Sequence, residues 1–291
     1  MRRRHYTEES ISQLALWARR IALFSLAATF VAVIIVRSGA LDIVPALSTL
    51  AGALALACVA ILMAFGAGIV IWRDGSGGGR HAATALIIGC ALIAYPAYLG
   101  IKAYHLQAIY DITTDPIDPP RFDAIARLRP RDANPIAYAG LYTAELQHAA
   151  YSDIEPDDTE ATPQEAYNAA MKVVTKRRWR IVDARQPQGA FDPRARPAAS
   201  AGDGIIEAVA RTPILVFRDD VVVRVRATVD GARIDVRSAS RYGRHDLGTN
   251  AKRVRNLIDD IDDVLSVPQK PAPAPAPAKP LPPAKGNHAR R

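Results

Sequence analysis

The sequence predicts an α+β protein in three parts: three N-terminal transmembrane helices, a two-layer soluble domain, and a disordered tail rich in Pro, Ala and Lys. In the soluble domain we expect a four-stranded antiparallel sheet with two helices on one face. Three observations predict this fold class. Uncharged apolar stretches fill most of the first hundred residues, periodic helix and strand patterns follow them, and the last 25 residues alternate Pro, Ala and Lys.

Each of the three apolar stretches has the length and composition of a membrane span. The first carries no ionisable residue as far as Val36, and it reaches spanning length if it continues to Leu41 with Arg37 extending to the interface. The second exceeds the roughly 20 residues that cross a hydrocarbon core, so its helix must tilt. A buried soluble helix is the alternative, but the short loops leave too little polar surface to cover three such helices. The predicted transmembrane helices, all in contact with the lipid bilayer, are residues 21–41, 43–72 and 82–101.

Basic residues near the ends of the spans predict the orientation, because Lys and Arg resist translocation across the bilayer. One side has the seven arginines Arg2, Arg3, Arg4, Arg19, Arg20, Arg73 and Arg80, and the other has Arg37 and Lys102. We therefore expect residues 1–20 in the cytoplasm and the domain after Lys102 across the membrane. In a Gram-negative bacterium this is a multi-pass inner-membrane protein with a periplasmic C-terminal domain. If the first span were a cleaved signal sequence, the domain would still lie on that side.

The soluble domain, residues 111–266, begins with a stretch rich in Pro and Asp that predicts an irregular covering strap as far as about Tyr151. A capping box of Thr162 and Glu165 then starts a helix. Four strand patterns and an amphipathic helix follow, at residues 179–184, 205–211, 221–228, 232–238 and 250–265. The strands alternate apolar and charged residues, so both helices should cover the apolar face. The charged face could bind a polyanion, but pairing with Asp235 and Glu207 is the simpler interpretation.

The charge distribution argues against a nucleic-acid partner. The chain has 37 Lys and Arg against 29 Asp and Glu, but residues 112–266 carry 23 basic and 24 acidic side chains. The basic excess therefore belongs to the two ends, and the folded domain is nearly neutral. We expect the tail, residues 267–291, to be disordered, and its cations could contact an envelope component or a partner protein.

The loop between the last strand and the last helix contains the residues best suited to bind an anion. Its glycines let backbone N–H groups converge, Arg241 and Arg244 offer donors, and Thr249 or Asn250 would cap a helix whose positive end faces the loop. In the alternative that we favour, the arginines pair with nearby aspartates and brace the loop against a turn at residues 217–220. The candidate site residues are Ser238, Ser240, Arg241, Arg244, Asp246, Asn250, Asp219 and Asp220.

Catalytic chemistry is poorly supported in the same loop. Ser240, His245 and Asp246 are the residue types of a catalytic triad, but no G-x-S-x-G elbow surrounds the serine. Asp219 and Asp220 are adjacent, so in a strand they would point to opposite faces of the sheet. The histidines lack metal-ligand spacing, and the sequence has no nucleotide-binding glycine motif. We therefore predict no metal, no cofactor and no enzymatic activity.

Several segments of the domain resemble a known bacterial family. They are Thr113–Asp115, Pro119–Phe122, Ile206–Thr212, Phe217–Val221, Asp235–Arg241 and Asp246–Asn250. Together they are similar to the domain-of-unknown-function 1499 family over about residues 111–266, and the run Asp-Val-Arg-Ser-x-Ser-Arg is specific. The resemblance implies a domain boundary. Because that family has no established activity, the resemblance implies no catalytic residue.

Two functions remain open from the sequence. In the first, an integral inner-membrane protein presents a non-catalytic periplasmic domain that binds an envelope component or a partner protein. In the second, the protein is a membrane-anchored periplasmic hydrolase that acts through the loop from Ser240 to Asp246. Loss of domain stability on substitution of the loop would indicate bracing, whereas loss of function in a stable domain would indicate a binding or active site.

Overall fold

The computed structural model describes residues 10–188 and 202–266. The described residues begin with three long helices, α1 (Gln13–Ser38), α2 (Ile43–Asp74) and α3 (Gly79–His105). Each is long and apolar enough to cross a membrane. The first differs from the predicted span at its end, because Gly39 has a left-handed φ of 66° and terminates α1 before Leu41. The helices also extend beyond the apolar stretches at several ends, since hydropathy marks only the part that lipid would surround.

The interior of this helical bundle is built from alanines. Ala18, Ala60 and Ala85 are fully buried in its core, whereas large apolar side chains such as Phe30 and Leu62 point outward and are about two-thirds exposed or more. Small residues let helices approach closely, and outward-facing Phe and Leu are favourable only where the surrounding medium is itself apolar. The distribution is therefore the one expected of helices in a bilayer.

The soluble domain contains one antiparallel sheet, which has six strands within the described residues. They are β1 (Asp111–Thr113), β2 (Asp157–Thr159), β3 (Arg180–Arg185), β4 (Gly204–Arg211), β5 (Arg218–Ala227) and β6 (Ala232–Ser240). The order is β1-β6-β5-β4-β3, and β2 also pairs with β6 beyond the end of β1. The prediction of four strands was therefore wrong, because it missed β1 and β2. The two additional strands have three residues each, which is too short for an alternating pattern to show.

Two helices cover the apolar face of the sheet, as predicted. These are α5 (Pro163–Lys176) and α6 (Thr249–Ser266), and their apolar residues share one core with the inward residues of β4, β5 and β6. The capping box of α5 is confirmed, since the Thr162 hydroxyl accepts from the Glu165 N–H and the Glu165 carboxylate accepts from the Thr162 N–H. The domain also contains α4 (Leu141–Ala150), in a region predicted to be irregular.

The opposite face of the sheet is also covered. A segment at residues 114–136, which we call the strap, lies across it and contains a short 3₁₀ helix, Ile125–Leu128. Phe122 and Ile125 from the strap form a second apolar core with sheet residues that include Val222. The predicted strap therefore exists, although β1 and α4 interrupt the region assigned to it. The face predicted to be a ladder of charge is consequently covered for the most part, and Arg226 and Arg233 remain partly exposed.

Candidate functional site

The sheet separates the predicted site residues instead of gathering them. Asp219, Ser238, Ser240 and Asn250 lie on the side covered by α5 and α6, whereas Asp220 and Arg241 lie on the side covered by the strap. Asp246 lies at the start of α6, and Arg244 is exposed to solvent. The candidate residues therefore form two buried networks and a helix cap.

The network on the helix side is centred on the side-chain amide of Asn250. Its Nδ2 donates to the Tyr110 carbonyl and to the Ser240 hydroxyl, both at 2.9 Å. Its Oδ1 accepts from the Ser238 hydroxyl at 2.8 Å and from Arg253. Arg253 also donates to Asp219 at 2.5 Å, so the aspartate is neutralised inside the domain. Sequence reasoning missed Arg253, although its position three residues after Asn250 puts both side chains on one helix face.

The network on the strap side is centred on Asp220, whose side chain is fully buried. Arg241 binds this carboxylate with two nitrogens, Nε at 2.9 Å and Nη2 at 2.7 Å. Arg129 from the strap adds a third contact at 2.7 Å and also donates to the Asn134 carbonyl. Two nearly buried cations thus share one carboxylate, an arrangement that strengthens charge-assisted hydrogen bonds. The strap has no periodicity that would have identified Arg129.

The predicted turn at residues 217–220 was wrong. Asp219 and Asp220 lie within β5, where they pair in register with Ser240 and Ala239 of β6. The chain reverses earlier, between β4 and β5, where the Thr212 N–H donates to the Phe217 carbonyl. Adjacent aspartates are typical of turns, but here each one finds an arginine on its own side of the sheet.

Asp246 caps α6 from within the loop. Its carboxylate accepts from the Gly248 N–H at 2.8 Å and from the Asn250 N–H at 2.7 Å. The expected cap by Thr249 or Asn250 is therefore replaced by a residue further upstream. Burial raises the pKa of Asp246, and the two backbone hydrogen bonds partly offset that rise. Arg244 makes no ion pair with any carboxylate of residues 10–188 or 202–266.

His245 connects the loop to the third long helix. Its Nδ1 accepts from the Leu247 N–H at 2.9 Å, so Nε2 carries the proton and faces the carbonyls of Ala103 at 3.2 Å and Leu106 at 3.1 Å. Both ring nitrogens are thus directed to backbone groups and neither to the Ser240 hydroxyl. Ser240, His245 and Asp246 consequently do not adopt the geometry of a catalytic triad.

Two backbone contacts reinforce this connection. The Asp246 N–H donates to the Ile109 carbonyl at 3.0 Å, and the Ser240 N–H donates to the Tyr110 carbonyl at 2.8 Å. The short linker after α3 is therefore held against the sheet along its length. We call the segment at residues 238–250, together with these contacts, the buttress.

The charged ladder on the strap side is internally paired. Arg224 binds Asp235 at 3.0 Å, as the cross-strand interpretation predicted, and the strap adds Asp118 at 3.0 Å. Glu207 differs from the prediction, since its carboxylate accepts three backbone N–H groups at the 3₁₀ helix of the strap. Arg237 binds Asp111 of β1 at 2.7 Å. The polyanion surface considered from the sequence is therefore occupied by the strap.

Within the described ranges, no group of three or more His, Cys, Asp or Glu residues is placed to hold a metal ion.

Comparison with known proteins identifies the domain. The family model described as "Protein of unknown function (DUF1499)" matches residues 111–261. The match begins at the first residue of β1 and ends within α6, so it includes the sheet, the strap and the buttress. No curated protein and no solved structure matches the chain. Since the matched region covers just over half of the chain and coincides with one folded unit, this protein belongs to the DUF1499 family.

Proposed function

We propose that this protein is an integral protein of the bacterial inner membrane whose domain is held rigidly at the periplasmic face. There the domain binds an envelope component or a partner protein, and it does so without catalysing a reaction. The basic tail, residues 267–291, lies outside the described residues and would add a second contact to the same partner.

The observation that carries this proposal is that the polar side chains of the buttress hydrogen-bond to other groups of the protein. Apart from the exposed Arg244, the polar groups that the sequence offers for chemistry are engaged within the protein, with Arg241 on Asp220, Asn250 on both serines, and His245 on the end of α3. A nucleophile requires a base within hydrogen-bond reach, and both nitrogens of His245 face the backbone. The His245 contact also ties the domain to the end of α3, which is useful to a protein that presents a surface.

The orientation is supported by the arrangement of the helix ends. The segment before α1 hydrogen-bonds to the loop between α2 and α3, through Ser12 N–H to Gly77 O at 2.9 Å and Gly77 N–H to Ser10 O at 3.1 Å. The arginines near this end therefore share one side, while Arg37 and Lys102 lie at the end next to the domain. Under the positive-inside rule this excess favours a cytoplasmic position for that end.

Reporter fusions test the orientation. We expect a reporter that is active only outside the cytoplasm to be silent when fused after Arg80 and active when fused after Ser266. A reporter that fluoresces only in the cytoplasm should give the reverse pattern. Signals from the same compartment at both positions would refute the topology.

A substitution of Ser240 tests the absence of catalysis. Ser240→Ala removes the nucleophile of the alternative hydrolase, and we expect this variant to complement a deletion strain as well as the parent does. Arg244→Ala serves as the matched probe of binding, because Arg244 is exposed and outside both networks. Loss of complementation by a stably folded Ser240→Ala protein would establish the hydrolase instead.

Crosslinking tests the interaction itself. A photoreactive residue in place of Arg244, in intact cells, should capture a reproducible envelope component, and the same residue at Leu62 on the lipid-facing surface serves as the control. If both positions capture the same material, or if Arg244 captures nothing, this surface is not the binding surface of the domain.

A further inference from the structure

A cavity lies where the soluble domain meets the long helices. It has a volume of about 290 Å³ and is bounded by the end of α1, the start of α2 and the loop between β4 and β5. Its walls combine apolar side chains, including Ile43 and Leu215, with arginines. The membrane helices and the domain both contribute to the lining, and the buttress adds Arg241 and Tyr242.

Three arginines at this cavity form no ion pair with a carboxylate of the described residues. Arg211 and Arg218 stand directly opposite each other in the register of β4 and β5. Like charges at directly opposed positions destabilise a sheet, and neither arginine forms an ion pair with a carboxylate of residues 10–188 or 202–266. Arg37 of α1 is the third, and Asp42 is the one acidic residue among those that line the cavity.

Arg37 is held in place by the domain. Its Nη1 donates to the carbonyls of Pro213 at 3.1 Å and Ile214 at 2.6 Å, both in the β4–β5 loop. Within residues 10–188 and 202–266 the other nitrogens of this guanidinium have no hydrogen-bond partner, so they could donate to a ligand. The same loop contains Val216 with a φ of 58°, a left-handed conformation that is unfavourable for a β-branched residue. Strained backbone of this kind persists where surrounding contacts impose it and is frequent at binding sites.

The position of the cavity indicates the ligand. Arg37 lies in the last turn of α1 and Asp42 immediately precedes α2, so the cavity is at the level where the apolar helices leave the bilayer. Lipid phosphates occupy this level. Arginine matches the geometry of phosphate oxygens because its planar guanidinium donates two parallel hydrogen bonds.

We propose that the cavity binds the phosphate of an anionic phospholipid from the adjacent leaflet. Arg211 and Arg218 hold the phosphate between them, Arg37 donates from the membrane side, and the acyl chains extend along the apolar outer surface of the helices. The bound anion removes the repulsion between the two opposed arginines. This inference goes beyond the proposed function, because it requires the helices to be in a bilayer but holds for either orientation of the domain.

Native mass spectrometry of the full chain tests the proposal. The protein is reconstituted in nanodiscs of phosphatidylcholine alone or mixed with phosphatidylglycerol, and the lipids retained after release are counted. We expect the parent to retain phosphatidylglycerol preferentially, and Arg211→Gln/Arg218→Gln to lose about tenfold in affinity. Arg178→Gln/Arg180→Gln has the same net charge, at two exposed positions that do not line the cavity, and should behave like the parent.

Thermal unfolding provides a second measurement that a merely structural role would not reproduce. Phosphatidylglycerol should stabilise the parent and not the double variant, because a ligand stabilises only the state that binds it. In phosphatidylcholine alone the double variant should be at least as stable as the parent, since the repulsion is gone. If the double variant does not fold, Arg211→Gln alone is measured in its place.

Three results would overturn the proposal. The parent could retain both lipids equally, the control variant could lose phosphatidylglycerol as strongly as the double variant, or inorganic phosphate could stabilise the parent equally in phosphatidylcholine discs. The last result would assign the site to a soluble anion. None of these outcomes depends on the reporter fusions, so failure here is distinguishable from failure of the proposed orientation.

Discussion

Replacing Asp220 by asparagine should destabilise the domain severely, because the carboxylate neutralises two buried cations. The side chains of Arg129 and Arg241 are each 4% exposed, and that of Asp220 is 0% exposed. Asparagine preserves the shape of the side chain but leaves both arginines without a counter-charge. Breaking one buried pair costs about 3–5 kcal/mol, and the second arginine puts the expected loss at or above the upper end of that range.

Trp179 offers a direct assay of this loss. It is partly buried against the core of the domain, and the other two tryptophans, Trp17 and Trp72, lie in the long helices. In a Trp17→Phe/Trp72→Phe background, fluorescence therefore reports the soluble domain of the full chain in detergent. With a denaturant slope of about 2 kcal/mol/M in urea, a loss of about 5 kcal/mol lowers the unfolding midpoint by about 2.5 M.

Asp118→Asn is the matched control for this measurement. Asp118 also pairs with two arginines, Arg224 and Arg226, but its side chain is 57% exposed. Ion pairs of this exposure contribute about 1 kcal/mol or less. A midpoint for Asp220→Asn equal to that of Asp118→Asn would refute the argument that burial of the cations determines the cost.

Three further predictions concern single positions. Glu207→Ala leaves three strap N–H groups without an acceptor and should cost about 3 kcal/mol or more, seen as faster proteolysis of the strap. Gly231→Ala puts a Cβ 2.1 Å from the Thr159 carbonyl, so hydrogen exchange in β2 should accelerate while β4 stays protected. Burial and the nearby Asp157 raise the pKa of Asp262 to about 6. The ionised form is thus disfavoured in the folded state, and the free energy of unfolding should rise as the pH falls from 7 through 6 toward 4. Asp262→Asn should abolish that rise and stabilise the domain at pH 7 by about 1 kcal/mol or less.

The elements that sequence reasoning located are those whose signal lies within a few residues. The start of α5 follows from Thr162, Pro163 and Glu165, which satisfy each other's backbone groups locally. The stripe of α6 and the alternation of β5 follow from periodicity, because each element turns one apolar face to the core between the sheet and its helices. The strands β1 and β2 carry no such signal, since three residues are too few to establish a period.

In the candidate site, too, only part of the arrangement could be predicted from the sequence. The sequence placed Arg241 near acidic residues, and the structure selects Asp220 as its partner. Arg129 and Arg253, which complete the two networks, were not identified, because each reaches its aspartate from an element remote in the chain. Spacing along the chain does not specify such pairs.

The sequence by itself indicated three helices long and apolar enough to cross a membrane within the first hundred or so residues, because three uncharged stretches of that length leave too little polar surface for water. It also determined which face is apolar in the longer periodic elements, such as β5 and α6. Only the tertiary structure decided that Asp219 and Asp220 are strand residues, which sheet face the strap covers, and that His245 joins the domain to α3. The reason is physical: local patterns record which side chains avoid water, whereas the pairing of buried charges depends on which distant segments the folded chain brings within hydrogen-bond distance.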